Sequence, residues 1–170
     1  MGRRTVVWLS ICCIIILMVL PASATRLIKR SIEDLAIRSS LVVTGKVTEI
    51  QSRWNDAHTR IYTYITLEIE SFLKGSHEEE SIVIKQFGGV VGDTAMTVFG
   101  SPSFSQEEQI LLFLKPRPGT ADEIVVTGLA QGKFHLEADS VTGEINAENR
   151  YEGKLPLSSI DDRVRRLFER

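Results

Sequence analysis

Ten residues, Ile61 to Glu70, alternate without a break. Ile61, Thr63, Ile65, Leu67 and Ile69 fall on one side, and Tyr62, Tyr64, Thr66, Glu68 and Glu70 on the other. Period two over that length predicts a strand with one face toward a core and one toward solvent. A second segment, Ile110 to Leu114, is apolar at every position, the pattern of a strand buried on both faces. The chain must therefore build a covered sheet, and its other segments are read around that requirement.

Leu41 to Val47 opens an earlier strand. Its apolar phase is odd at Val43 and Val47 but even at Ile50 and Trp54. A one-residue slip of phase is what a β-bulge produces, so one is placed near Thr48-Glu49. Asn55-Asp56-Ala57-His58 reads as the following turn. The alternating strand ends at Leu73-Lys74-Gly75. Further strands are expected at Ile82–Phe87, near Met96-Thr97-Val98, at Gln109–Leu114 and at Ile124–Thr127. Phe134–Leu136 and Glu144–Asn146 read as a last hairpin turning at Thr142-Gly143.

Two helices are expected. Residues 31–38 carry a Ser31 cap with Ile32, Leu35 and Ala36 on one face. Near the C-terminus Ser158 or Ser159 caps a helix with Asp161 and Asp162 early and Arg163, Arg165, Arg166 and Arg170 late. That charge order suits the helix dipole. Ile160, Val164, Leu167 and Phe168 form its apolar stripe. Long bulged strands of an antiparallel set curl and close. The expected fold is a mainly β, small, closed or partly open antiparallel β-barrel of the OB type, with a short N-terminal helix and a C-terminal helix. A β-sandwich is the alternative.

Residues 1–24 stand apart. Arg3 and Arg4 precede an apolar run from Val6 to Leu20, and Pro21 and Ala22-Ser23-Ala24 close it. This is the layout of a secretory signal peptide. The run is shorter than the roughly 20 residues that span a bilayer. Gly2 to Val7 loosely matches a twin-arginine export signal, although the very apolar core suits the general route better. The expectation is an exported, periplasmic or extracellular chain beginning at Thr25, with residues 25–170 as one domain and no membrane attachment after cleavage.

Both cysteines, Cys12 and Cys13, lie in that leader. Residues 25–170 can form no disulfide and support no thiol chemistry, although an oxidising compartment would permit a bridge. The whole chain has 20 Lys+Arg, 22 Asp+Glu and a formal net charge of −2, and the leader holds no acidic residue. The remainder is more acidic still, which argues against nucleic acid as the partner.

Val42-Val43-Thr44-Gly45-Lys46-Val47, Tyr64 through Glu70 into Phe72-Leu73-Lys74-Gly75, Ile82-Val83-Ile84 and Gln109 to Leu114 follow one another in an order that resembles the netrin-like module of tissue inhibitors of metalloproteinases. The order is more similar still to secreted bacterial proteins of unknown function with the same strand, Lys-Gly, strand layout. The resemblance covers about residues 40–136 and implies an OB-type barrel. In the inhibitors, the α-amine and carbonyl oxygen of a first cysteine ligate the protease zinc, and a disulfide pins that terminus. Thr25 stands at the corresponding place here, with no cysteine to hold it, so inhibition does not carry over.

No catalytic grouping emerges. His58, His77 and His135 are the only histidines and none lies three or four residues from another. His58 with Asp56 reads as turn, and His135 as a hydrogen-bonded strand residue. Gly88-Gly89-x-x-Gly92 lacks the following helix that a phosphate cradle needs and reads as rim or bulge glycines. Gly100-Ser101-Pro102-Ser103 is no nucleophile elbow. Glu78-Glu79-Glu80 and Glu107-Glu108 are solvated charge rather than acid and base across a substrate. Tyr62 and Tyr64 share a polar strand face with Phe72 beyond them. Such aromatics stack bases or sugars in OB folds, unless a terminal helix covers them, which is the favoured expectation. Phe99 and Phe104 flank a Gly-Ser-Pro-Ser loop, either as partner contacts or as plugs for the barrel end.

The expected function is a non-catalytic binding module without metal or cofactor. Its partner is expected to be a secreted protein, such as a protease. Thr25, Tyr62, Tyr64, Phe99 and Phe104 are its candidate contacts. Inhibition of a secreted metalloprotease and an unrecognised hydrolase are the alternatives.

Overall fold

The computed structural model describes Gly2, residues 28–120 and residues 122–169. The expected leader, residues 1–24, and Thr25 lie outside them, Gly2 apart. Helix α1 (Ile32–Arg38) comes first. Strands β1 (Leu41–Trp54), β2 (Ile61–Lys74), β3 (Ser81–Phe87), β4 (Gly89–Val91), β5 (Thr94–Met96), β6 (Gln109–Pro116) and β7 (Ile124–Val126) follow. A single 3-10 turn (Leu129–Gly132) leads into β8 (Lys133–Ala138), β9 (Ile145–Asn149) and β10 (Gly153–Pro156), and helix α2 (Leu157–Phe168) ends the order.

Five strands close into a ring in the order β1-β2-β3-β7-β6, with β6 pairing back onto β1. Strands β8, β9 and β10 continue the sheet outward from β6. The mainly β, OB-like arrangement is the one the alternation pattern called for, and the sandwich alternative is not taken. One link departs from the all-antiparallel expectation. Strands β3 and β7 run parallel and share a single register pair, Ile84 with Ile124.

β6 shows why five consecutive apolar residues were needed. Ile110, Leu112 and Leu114 point into the ring beside Val43, Val47, Ile65, Leu67, Ile82 and Ile84. Leu111 and Phe113 point outward into a second core with Ile32, Leu35, Val42, Phe134, Ile160 and Val164. β1 and β6 are thus a wall shared by two cores, one inside the ring and one beneath the helices.

The long strands bend where registers slip. β1 carries the bulge at Thr48 that its phase change implied: Val47 pairs with Leu67 and Glu49 with Thr66. Two further slips, between Val42 and Val43 and between Thr44 and Gly45, left no mark in the apolar pattern. Gly45 is required there, because a Cβ would stand 2.1 Å from the Glu68 carbonyl oxygen.

Ser31 Oγ accepts the Asp34 amide, and Ile32, Leu35 and Ala36 are buried, as the pattern required. α2 starts at Leu157 after Pro156 and has no side-chain cap. Ser158 and Ser159 therefore lie inside its first turn, because proline's fixed φ already sets the entry. Ile160 and Val164 are buried, while Phe168 is half-exposed under the Lys74 ammonium, 4.1 Å from its ring centroid. The strand expected near Met96-Thr97-Val98 lies earlier, at Thr94–Met96, paired with β4 across Gly92-Asp93. Ile50 and Trp54 are less buried than their phase suggested, since β1 outruns β6 and beyond Val47 is paired in register with β2 alone among the described strands.

Candidate functional site

The inward turn of Ile61, Thr63 and Ile65 sends Tyr62 and Tyr64 to the outer face of β2. Register then chooses their neighbours. Tyr62 lies opposite Phe87 and Tyr64 opposite Lys85 on β3, and Arg53 of β1 lies opposite Tyr62. Tyr62 and Phe87 meet edge to face with centroids 5.5 Å apart. The Arg53 guanidinium sits 4.0 Å over the Tyr64 ring. Lys85 Nζ is 4.4 Å from the Tyr62 centroid and 5.6 Å from that of Tyr64. Arg117 approaches Tyr62 at 5.5 Å and Arg60 approaches Phe87 at 5.9 Å.

Three rings and four cations thus interleave on one outer face. Each cation over a ring contributes about 0.5–1 kcal/mol when exposed, so the ladder orders its own side chains. Glu123 is its internal anion, hydrogen-bonded to Lys85 and 3.0 Å from Arg117. The Glu123 hydrogen bond outweighs burial and lifts the Lys85 pKa above that of an ordinary lysine, so the ammonium stays charged. Guanidinium edges beside aromatic faces can take carboxylate or other anionic oxygens and flat apolar groups together.

The helix that was expected to cover this face does not. α2 packs on the opposite end of β2, where Ser71, Phe72 and Leu73 meet Leu157 and Asp161 around a small cleft. Phe72 does not share the tyrosine face either. Slips in the β1–β2 register turn it toward the ring interior, where it packs on the inner core.

Beside the ladder, at the β3–β7 link, lies a cavity of about 360 Å³. Val98, Val125, Val126 and Leu129 supply apolar wall, and Gln86 and Lys115 supply polar groups.

The two phenylalanines part company. Phe104 packs against the inner core with Lys133 Nζ 5.0 Å from its ring, as a plug would. Phe99 is 75% exposed. Thr25 lies outside the described residues. His58 stacks on Trp54 at the β1–β2 turn, where Asn55 Oδ1 accepts the amides of Thr59 and Arg60. His135 on β8 faces Glu108, whose Oε1 lies 3.3 Å from Nδ1 and 2.6 Å from Lys133 Nζ. Gly88 and Gly89, at φ 97° and 137°, carry the chain across the ring mouth, where Thr63 Oγ1 donates to the Gly88 carbonyl.

Among the described residues no group of three or more His, Cys, Asp or Glu side chains is placed to hold a metal ion. Among the same residues no helix is long and apolar enough to cross a membrane.

Sequence reasoning found Tyr62 and Tyr64 but missed Arg53, Arg60, Lys85, Phe87 and Arg117. Lys85 and Phe87 were accessible in principle, since they alternate with inward Ile82 and Ile84. Arg117 was not, because it comes from the loop after β6 and reaches Tyr62 only through ring closure. No family model matches the chain, and no curated protein matches it.

Proposed function

We propose that the chain is an exported, non-catalytic binding module that engages an acidic surface of a secreted protein through the outer face of β1, β2 and β3. The interleaved ladder of Arg53, Tyr64, Lys85, Tyr62, Arg117 and Phe87, covered by neither helix, carries this reading. Aromatic residues and arginine are the residue types that anchor interfaces. A cationic face on a chain of net negative charge gives such a partner one preferred side to approach. Export rests on the apolar leader and its small-residue end.

The test is affinity capture from culture fluid with the purified chain and with Tyr62→Ala/Tyr64→Ala. A partner retained by the first, released by salt and lost by the second, at matched circular dichroism, supports the reading. Equal retention by both, or turnover in a broad hydrolase screen, overturns it.

A further inference from the structure

The four cations of the ladder are not equivalent. Lys85 and Arg117 are half-buried, and Glu123 gives one carboxylate oxygen to each. Both lie against the Tyr62 ring, so the centre of the ladder already holds an anion. Arg53 and Arg60 are exposed. Arg53 meets the Tyr64 ring and Arg60 the Phe87 ring, and neither meets a carboxylate among the described residues. A guanidinium that lies on a ring keeps the N–H groups of its edge for an anion.

The two unpaired guanidiniums stand at opposite ends. Arg60 immediately precedes β2, and Tyr62 and Tyr64 follow it at alternate positions. Alternate positions on a strand share a face and lie about 6.8 Å apart, which puts Arg60 about 13–14 Å from Tyr64 along the chain. Arg53 is opposite Tyr62 in register but leans over Tyr64, away from Arg60. The face therefore runs from guanidinium through rings to guanidinium, with Glu123 between. An extended peptide presents its first, third and fifth side chains on one side at the same spacing.

We propose that the ladder reads an extended peptide segment in which two acidic residues, four apart, flank an apolar one: Arg53 and Arg60 take the carboxylates, the rings of Tyr62, Tyr64 and Phe87 take the apolar side chain, and Glu123 turns further carboxylates away from the centre. This rests on the binding-module reading and names the segment that the partner presents. Arg53 and Arg60 are then the specificity-determining cations, while Lys85 and Arg117 position the rings.

The probes are acetyl-Glu-Ala-Leu-Ala-Glu-amide and its isomer acetyl-Ala-Ala-Leu-Glu-Glu-amide, equal in composition and charge, in ¹⁵N-resolved titrations of the purified chain. The spaced peptide is expected to bind about fivefold more tightly and to shift the amides of Arg53, Arg60 and Tyr62 saturably. Arg53→Gln and Arg60→Gln should each bring it down to the level of the isomer. Glu123→Gln should erase the preference by letting the isomer bind as well as the spaced peptide. Asp122→Asn should keep it, because Asp122 is exposed and pairs with no cation among the described residues, so its loss frees neither Lys85 nor Arg117. Equal affinity of the parent for the two isomers would overturn the proposal and leave the ladder standing as a binding face. Shifts from neither isomer at millimolar peptide would overturn both. The same response in Glu123→Gln and Asp122→Asn would refute the part given to Glu123. The comparison of isomers uses the parent chain and stands even where a variant fails to fold.

Discussion

Lys74 joins three elements with one ammonium. Its Nζ donates to the Ala36 and Ser39 carbonyls, at 2.7 and 2.6 Å, and lies over the Phe168 ring. It therefore satisfies the open C-terminal end of α1 while holding the last turn of α2. Burial draws its pKa below that of an ordinary lysine. Gly75 follows at φ 77°, where a Cβ would meet the Ser40 carbonyl oxygen at 2.6 Å. The Lys-Gly pair was visible in the sequence as a strand end and turn. Its helix-capping role was not, because the acceptors lie more than thirty residues away in the chain. Lys74→Met is expected to cost about 1–2 kcal/mol through the two lost hydrogen bonds, with the Ala36 carbonyl keeping only the Ser39 amide as donor, read in denaturant titration, with Lys74→Arg losing less. Ile65 is fully buried, whereas Thr66 is on the outer face. Ile65→Ala should cost about 2–5 kcal/mol and Thr66→Ala far less. Equal losses would mean that the strand faces the other way.

Elements were legible wherever one face of a regular segment had to be apolar. β2, β6 and α1 are of that kind, and even the Thr48 bulge showed as a phase change. β10 was not legible. Gly153-Lys154-Leu155-Pro156 has no alternation, and it is a strand because β9 supplies its hydrogen bonds. The parallel β3–β7 link was hidden for the same reason, since one register pair leaves no periodicity to read. The two helices are tied by Arg163, whose Nε and Nη2 donate to the Glu33 carboxylate at 2.6 and 2.9 Å. That bidentate bond lowers the Glu33 pKa from 4.5 to about 2. The folded state therefore takes up this proton less readily than the unfolded state. The contribution of the pair is whole above pH 4.5 and is lost as the pH falls from there toward about 2. With Glu33 38% exposed, solvent screening reduces it to about 1 kcal/mol. Acid titration of stability should show a shallower loss in Glu33→Gln over that interval, and parallel curves for the two proteins would refute the assignment.

Across the molecule, stability is distributed according to how each part of the ring is held. β6 is buried on both faces and hydrogen-bonded to neighbours on both sides, β1 on one and β7 or β8 on the other. β7 is three residues long with one pair to β3. Hydrogen exchange should therefore rank the amides of Ile110 to Leu114 among the slowest and those of Ile124 to Val126 well below them. Equal protection in the two strands would show that the β3–β7 link is no weak point. The wall shared by the two cores also has a meaning in time. β1 finds β2 as a hairpin neighbour, a microsecond event, but its other edge, Leu41 to Lys46, waits for Gln109 to Leu114. While the chain is being made, that edge stands open until most of the sequence has emerged. Pairings so distant along the chain place folding in roughly the millisecond-to-second range. Over that interval an apolar strand with an unpaired edge is what a chaperone would hold and what a crowded compartment would aggregate.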